Sequence, residues 1–208
     1  MASSRLDSSQ PEGERRKSLI VFVHGLGGGI RTWGKFKTLI DADPELRNQF
    51  DVVFYRYPTS LIRLPFMKPS LSLELVVDAL DTRIALETEG RDYAAIFFVC
   101  HSMGGLLGRD YAIKAHRGEA GRRISAMLLY ATPNQGSEVA RLPNFLSFGH
   151  HQLKQLFRES DLIRRINDDW RDLGLDDVVL VNFVVAAQDS VVTEASARGF
   201  WGSNGHVY

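Results

Sequence analysis

The sequence predicts an α/β protein, a doubly wound and mostly parallel sheet with helices on both faces. Three observations carry that expectation. The run Leu19-Ile20-Val21-Phe22-Val23 is continuously apolar, without the polar alternation of a strand that has one wet face, so both its faces must be covered. Further runs of this kind alternate along the chain with segments of helical periodicity, the pattern of a parallel sheet wrapped by crossover helices. The runs also break at Gly25 and Pro58, where a chain leaves a sheet.

Each element follows from local pattern. After the strand 19–23, a Gly-rich loop leads into a helix from about residue 32 to 40. Asp51 to Tyr57 is a second strand, stopped by Pro58. Between Ser72 and Glu87 the residues Leu73, Val76, Val77, Leu80 and Ile84 recur at three and four, a helix with one buried stripe. Ala94 to Cys100 is a third strand, and Gly104 to His116 a helix ended by Gly118. Ile124 to Tyr130 and Val178 to Ala187 complete the visible strands. Residues 1–17, polar and ending in Arg15-Arg16-Lys17, read as a flexible leader ahead of a single domain over 18–208.

Composition narrows the function. The chain has 208 residues, 44% of them apolar, enough to bury a core without cross-links. Lys+Arg and Asp+Glu each total 25, so it lacks the basic excess of a nucleic-acid binder. The single cysteine, Cys100, excludes an internal disulfide and a thiolate cluster for structural zinc. The N-terminal residues contain no apolar stretch, neither a secretory signal nor a membrane span. A cytoplasmic enzyme or binding domain is expected, with no metal and no cofactor.

In a sheet of this kind chemistry sits beyond the carboxyl ends of the strands. Two loops meet that condition. His24-Gly25-Leu26-Gly27-Gly28 directly follows the first strand. It fails the dinucleotide fingerprint, because Ile30 stands where the last glycine is required. Gly29-x4-Gly34-Lys35 fits the start of a phosphate-binding loop, but Phe36 replaces the magnesium-binding hydroxyl. His24-Gly25-x-Gly27-Gly28 directly after a strand resembles an oxyanion loop, whose backbone N–H groups face a developing negative oxygen. The second loop, Cys100-His101-Ser102-Met103-Gly104-Gly105, has the strand, sharp turn and helix of a nucleophile elbow. Cys100 stands where the usual first glycine would be. Ser102 is the candidate nucleophile; the plainer alternative is a serine that caps the helix. Cys100 itself, at the end of an apolar strand, reads as inert packing.

A serine nucleophile needs a base and a carboxylate, which in this arrangement follow it in the order acid, then histidine. Asp189 falls at the carboxyl end of the last strand and is the candidate acid, against the alternative of a turn-forming aspartate. Of the histidines, His24 and His101 shape the two loops, and His116, His150 and His151 precede Asp189. Only His206 follows it, and elimination makes it the base. Either His206 acts from near the end of the sequence or the base lies beyond Tyr208.

The set IVFVHGLGGG, CHSMGG, LLYATPNQGS and AAQDSVV resembles the α/β-hydrolase superfamily, over residues 18–196. More narrowly it is similar to lipase and esterase-like serine hydrolases of the GPI-inositol deacylase branch. The resemblance implies Ser102 as nucleophile, Asp189 as acid, and Leu26 and Met103 as backbone donors of the oxyanion hole. It also implies that an insertion at about 137–175 is lid-like, with Leu142, Phe145, Leu146, Phe148, Leu153, Leu156 and Phe157 lining an acyl pocket or packing a crossover helix.

The function expected is hydrolysis of a small-molecule or lipid carboxylic ester, with transient contact to a membrane surface and no nucleic-acid partner. Two alternatives stand: a binding or scaffold protein without a working base, and an acyltransferase that uses the same serine.

Overall fold

The computed structural model describes residues 16–25, 28–57, 73–134 and 161–184, together with the backbone of residues 206–207. Six strands form one sheet: β1 Ser18–Val23, β2 Phe50–Tyr55, β3 Ile96–His101, β4 Ala126–Tyr130, β5 Leu180–Val184 and β6 His206–Val207. They lie in the order β2-β1-β3-β4-β5-β6, and every pairing is parallel. The chain steps outward from β1 to β2, then crosses back to β3 on the other side of β1. The order therefore reverses between β1 and β3, and the two Gly-rich loops leave the sheet side by side at that point.

The helices are α1 Gly34–Ala42, α2 Pro44–Gln49, α3 Leu73–Thr88, α4 Met103–Arg117 and α5 Asp161–Asp172. α3, α4 and α5 cover one face of the sheet. The alternate residues that point there, Leu19, Val21, Val53, Phe98, Cys100, Met127, Leu129, Val181 and Phe183, make the core with Leu80, Leu106, Ile113, Ile166 and Trp170. α4 lies innermost, flanked by α3 and α5, and almost all of its residues are buried. Its three glycines face the sheet and its neighbours and let it approach closely. Gly118 ends it in the left-handed conformation (φ 78°), with Lys114, His116 and Arg117 in the negative last turn.

The opposite face is covered near β1 and β2 by aromatic packing. Phe22 stacks on Phe54 at 5.0 Å and meets Trp33 at 5.1 Å and Phe36 of α1 at 5.6 Å. Trp33 belongs to a single 3-10 turn, Ile30–Trp33, that leads from the first loop into α1.

Observed boundaries differ from the sequence reading where tertiary contacts compete. β2 ends at Tyr55, and Tyr57 turns inward instead of continuing the strand. Val178 and Val179 close a 3-10 turn through bonds to Leu175, so β5 begins at Leu180. The short α2 is additional; Asp43 caps it by accepting from Glu45 N (2.9 Å) and Leu46 N (3.1 Å), and Pro44 occupies its first position.

Within the segment read as lid-like, residues 161–172 form α5. Its Ile163, Ile166 and Trp170 are buried against the core, as a crossover helix requires. Leu142, Phe145, Leu146, Phe148, Leu153, Leu156 and Phe157 lie outside the described residues. So do residues 1–15 of the leader. Its last two residues are tied down: Arg16 pairs with Asp92 (2.8 Å), Lys17 pairs with Asp51 (2.9 Å), and the Lys17 carbonyl accepts from Ala94 N.

Phe98 is fully buried beside Tyr111, with ring centroids 5.3 Å apart. Phe98→Ala is therefore expected to lower unfolding free energy by about 3–5 kcal/mol. Leu39→Ala, at a side chain 66% exposed on α1, should change it by less than about 0.5 kcal/mol, both read from urea unfolding.

Candidate active site

β3 delivers Ser102 to the carboxyl edge of the sheet. Ser102 has φ 52° and ψ −124°, a left-handed conformation that L-residues avoid and that costs about 1–3 kcal/mol. Its N–H donates to the Tyr130 carbonyl (2.9 Å), and its own carbonyl accepts from Gly105 N (2.9 Å). The turn is thus held from β4 on one side and from α4 on the other. Its side chain makes no capping bond to the helix, so the alternative of Ser102 as a helix cap lacks its defining contact. Ser102 is nine-tenths buried.

Three glycines set the distances around it. A Cβ on Gly104 would lie 2.4 Å from the Val23 carbonyl oxygen and 2.7 Å from that of His24. Both are backbone atoms that cannot yield, so only glycine lets the start of α4 rest against the end of β1. A Cβ on Gly25 would lie 2.8 Å from Ser102 Cβ and 2.9 Å from His101 Nδ1. The first loop therefore touches the serine directly. A Cβ on Gly105 would fall 2.1 Å from Thr132 Oγ1, so the Thr132 side chain occupies the place a larger residue would fill.

Cys100, the departure from the usual glycine, is accommodated across the same packing. Its Sγ would sit 2.9 Å from a Cβ on Gly108, so α4 supplies the missing volume. The thiol is fully buried, and burial pushes its pKa far up. It is packing with no nucleophilic character at neutral pH.

His24 shapes the first loop. Its Nδ1 donates to the Gly25 carbonyl (2.8 Å), and its Nε2 accepts from Tyr57 N (3.5 Å). Those two bonds require the neutral Nδ1–H tautomer. The imidazole stacks on Tyr57 with ring centroids 4.4 Å apart, and the Tyr57 hydroxyl donates to the His24 carbonyl (2.7 Å). Burial lowers the pKa of His24 from 6.5; the Gly25 bond opposes this and Arg56 adds to it. Tyr57 is a site-shaping residue that strand periodicity misses. The signal available was an aromatic immediately before Pro58, at the point where the chain leaves the sheet.

Beside this corner runs a groove of about 530 Å³ with an apolar wall of Ile30, Phe54, Tyr57, Leu75, Val76 and Leu86. His101 points to the opposite face and meets the edge of Trp33 at 6.4 Å.

The structure thus brings together Ser102, Met103 at the first position of α4, and His24 and Gly25 of the first loop. Leu26 and Asp189 lie outside the described residues. His206 is the first residue of β6 and pairs with Asn182, which is level with Leu128 and Val99. That is three strands across and three residues behind Ser102, about 14 Å by about 10 Å at ordinary strand spacings. The described pairing does not bring His206 to the serine.

A family model for the alpha/beta hydrolase family matches residues 20–205, and the chain belongs to that family. Solved structures with the same fold include a carboxylesterase of the thaumarchaeon Nitrososphaera gargenis, 15% identical, with a TM-score of 0.58 over 94% of this chain and 81% of that one. An esterase of Pyrococcus furiosus is 11% identical, with a TM-score of 0.60 over 94% and 72%. The RedJ thioesterase from the prodiginine pathway of Streptomyces coelicolor is 16% identical, with a TM-score of 0.54 over 100% and 85%. No curated protein sequence matches the chain.

Gly104→Ala is expected to cost more than about 2 kcal/mol, lowering the melting temperature by several degrees in a thermal scan, because the clash is with backbone. A second expectation concerns pH. Because folding lowers the His24 pKa, the stability it contributes is complete above 6.5 and is lost as pH falls below that value, where the unfolded chain binds the proton first. The loss of unfolding free energy between about pH 7 and about pH 5 should be smaller in His24→Asn than in the parent.

Proposed function

We propose that this hydrolase is a serine esterase of the lipase type, with Ser102 as the nucleophile. The observation that carries the reading is Ser102 itself. It stands in a left-handed turn at the tip of β3, at the point where strand order reverses, and Gly25 of the first loop packs on its Cβ. Such strain persists only where the surroundings enforce it, and it gathers at functional sites.

In the proposed reaction Ser102 Oγ attacks the ester carbonyl carbon while a histidine takes the hydroxyl proton and Asp189 steadies the imidazolium. The N–H groups of Leu26 and Met103 hold the oxyanion; Met103 opens α4, so its N–H lies at the positive end of that helix. The C–O bond breaks, and the alcohol leaves with the proton from that histidine. Water, deprotonated by the same histidine, then releases the acid and restores the serine.

His206 is proposed because it is the only histidine that follows Asp189. To act it must leave the β6 pairing, which sets it about 14 Å by about 10 Å from Ser102. The esterases and the thioesterase among the solved structures of like fold favour acyl transfer to water from an ester or thioester. The chain's likeness to the GPI-inositol deacylase branch favours a lipid ester. The groove that shares Tyr57 with the first loop has an apolar wall, beside Arg56 and Arg83, that suits the hydrophobic part of such a substrate. Among the described residues no helix is long and apolar enough to cross a membrane.

A fluorophosphonate probe should label the protein, and Ser102→Ala should abolish the labelling. Lack of labelling in the parent would overturn the serine-hydrolase reading and leave the non-catalytic alternative. Hydrolysis of a p-nitrophenyl ester should fall by at least about 100-fold in His206→Ala. Unchanged turnover in that variant would place the base elsewhere. Faster release of p-nitrophenol on adding an alcohol, with formation of the new ester, would favour the acyltransferase.

A further inference from the structure

We infer that Asn167, on the crossover helix α5, is a positioning residue for the nucleophile turn: it ties the segment after β4 to the buried body of α4. This rests on the reading of Ser102 as nucleophile.

Ser102 is not the only strained residue at this edge. Ala131 has φ 44°, and the two are the only non-glycine residues with positive φ among those described. His101 and Tyr130 are partners in the sheet, so Ser102 and Ala131 are the first residues past the same rung on adjacent strands. The Ser102 N–H donates to Tyr130 O, immediately before Ala131. Two residues on, Thr132 is lodged against Gly105 in the first turn of α4. The shape of segment 131–134 therefore sets where the nucleophile turn can sit.

Asn167 is positioned to hold that segment. Its Oδ1 accepts from Arg109 Nη2 (2.9 Å), and its Nδ2 donates to the Asn134 carbonyl (3.2 Å). The polarity of the amide is not free to reverse. A guanidinium only donates and a carbonyl only accepts, so the oxygen must face Arg109 and the nitrogen must face Asn134. Arg109 is itself fixed. It is fully buried seven residues after Ser102 on α4, and its guanidinium carbon lies 5.3 Å from the centre of the Trp170 ring. The Trp170 indole donates to Asp176 (2.8 Å), and burial brings the Arg109 pKa down to about 9 against the opposing pull of Asp176.

Asn134 is also fully buried, and its side-chain amide has no partner among the described residues. Among the described residues, the bond from Asn167 to its backbone ties down this end of the segment.

The two bonds of the amide can be separated. Asn167→Asp keeps an acceptor for Arg109 and strengthens it with charge, while it sets a carboxylate oxygen against the Asn134 carbonyl. A merely structural role predicts that reactivity follows stability, which the new ion pair protects. A positioning role predicts that the two part company.

In the full-length protein, Asn167→Asp should unfold within a few degrees of the parent, yet react with the fluorophosphonate at least about tenfold more slowly, because small displacements of a reacting group are costly. With a p-nitrophenyl ester the loss should fall on kcat, with KM little changed. Labelling of the variant at the parent rate, or slowed only in proportion to its unfolded fraction, would overturn the inference. Should Asn167→Asp fold poorly, Asn167→Ser removes both bonds without adding charge. It should label at least about threefold more slowly than the parent at equal folded fraction, and parent-rate labelling would overturn the inference equally. A parent that does not label at all is a distinct result, which overturns the proposed nucleophile and this inference with it.

Discussion

The site depends on how closely the start of α4 can approach the end of β1. Where Gly104 meets the carbonyls of Val23 and His24, one methyl group would hold helix and strand apart. With that space closed, the first loop reaches the nucleophile turn and Gly25 packs on Ser102. The switch in strand order between β1 and β3 is what makes the two loops neighbours. Any parallel sheet of this topology would set them side by side; the glycines bring them into contact.

A rigid setting surrounds that contact. α4 is enclosed by the sheet, α3 and α5, so the serine is mounted on the most deeply buried helix of the described chain. Neutral His24, stacked on Tyr57 and bonded at both ring nitrogens, stiffens the loop on the other side. The cost of the left-handed turns at Ser102 and Ala131 is offset by this packing. Release of the turn would require α4 to leave its place in the core.

Much of this was legible in the amino-acid order, for reasons that differ between elements. The strands were visible because β-branched and aromatic runs such as 19–23 have no other stable use at that length. α4 was visible from the elbow motif, a helical pattern and Gly118. α2 carried a readable signal in Asp43-Pro44 that its six-residue length masked. α5 was harder. Its Ile163, Ile166 and Trp170 recur at three and four among charges, the spacing of one buried stripe, but they fell inside a segment that the resemblance assigned to a lid.

The sequence by itself determined the parallel α/β architecture, the family, and the identity of the residue at the tip of β3, because these rest on local pattern and short motifs. Only the tertiary structure decided how Cys100 replaces a glycine, through the space left by Gly108, and why Tyr57 leaves its strand to support His24. It alone joined Arg109 of α4, Asn167 of α5 and Asn134 in the segment after β4. Such contacts depend on which side chains the crossovers bring within a few ångströms, and no local pattern in the chain records that distance.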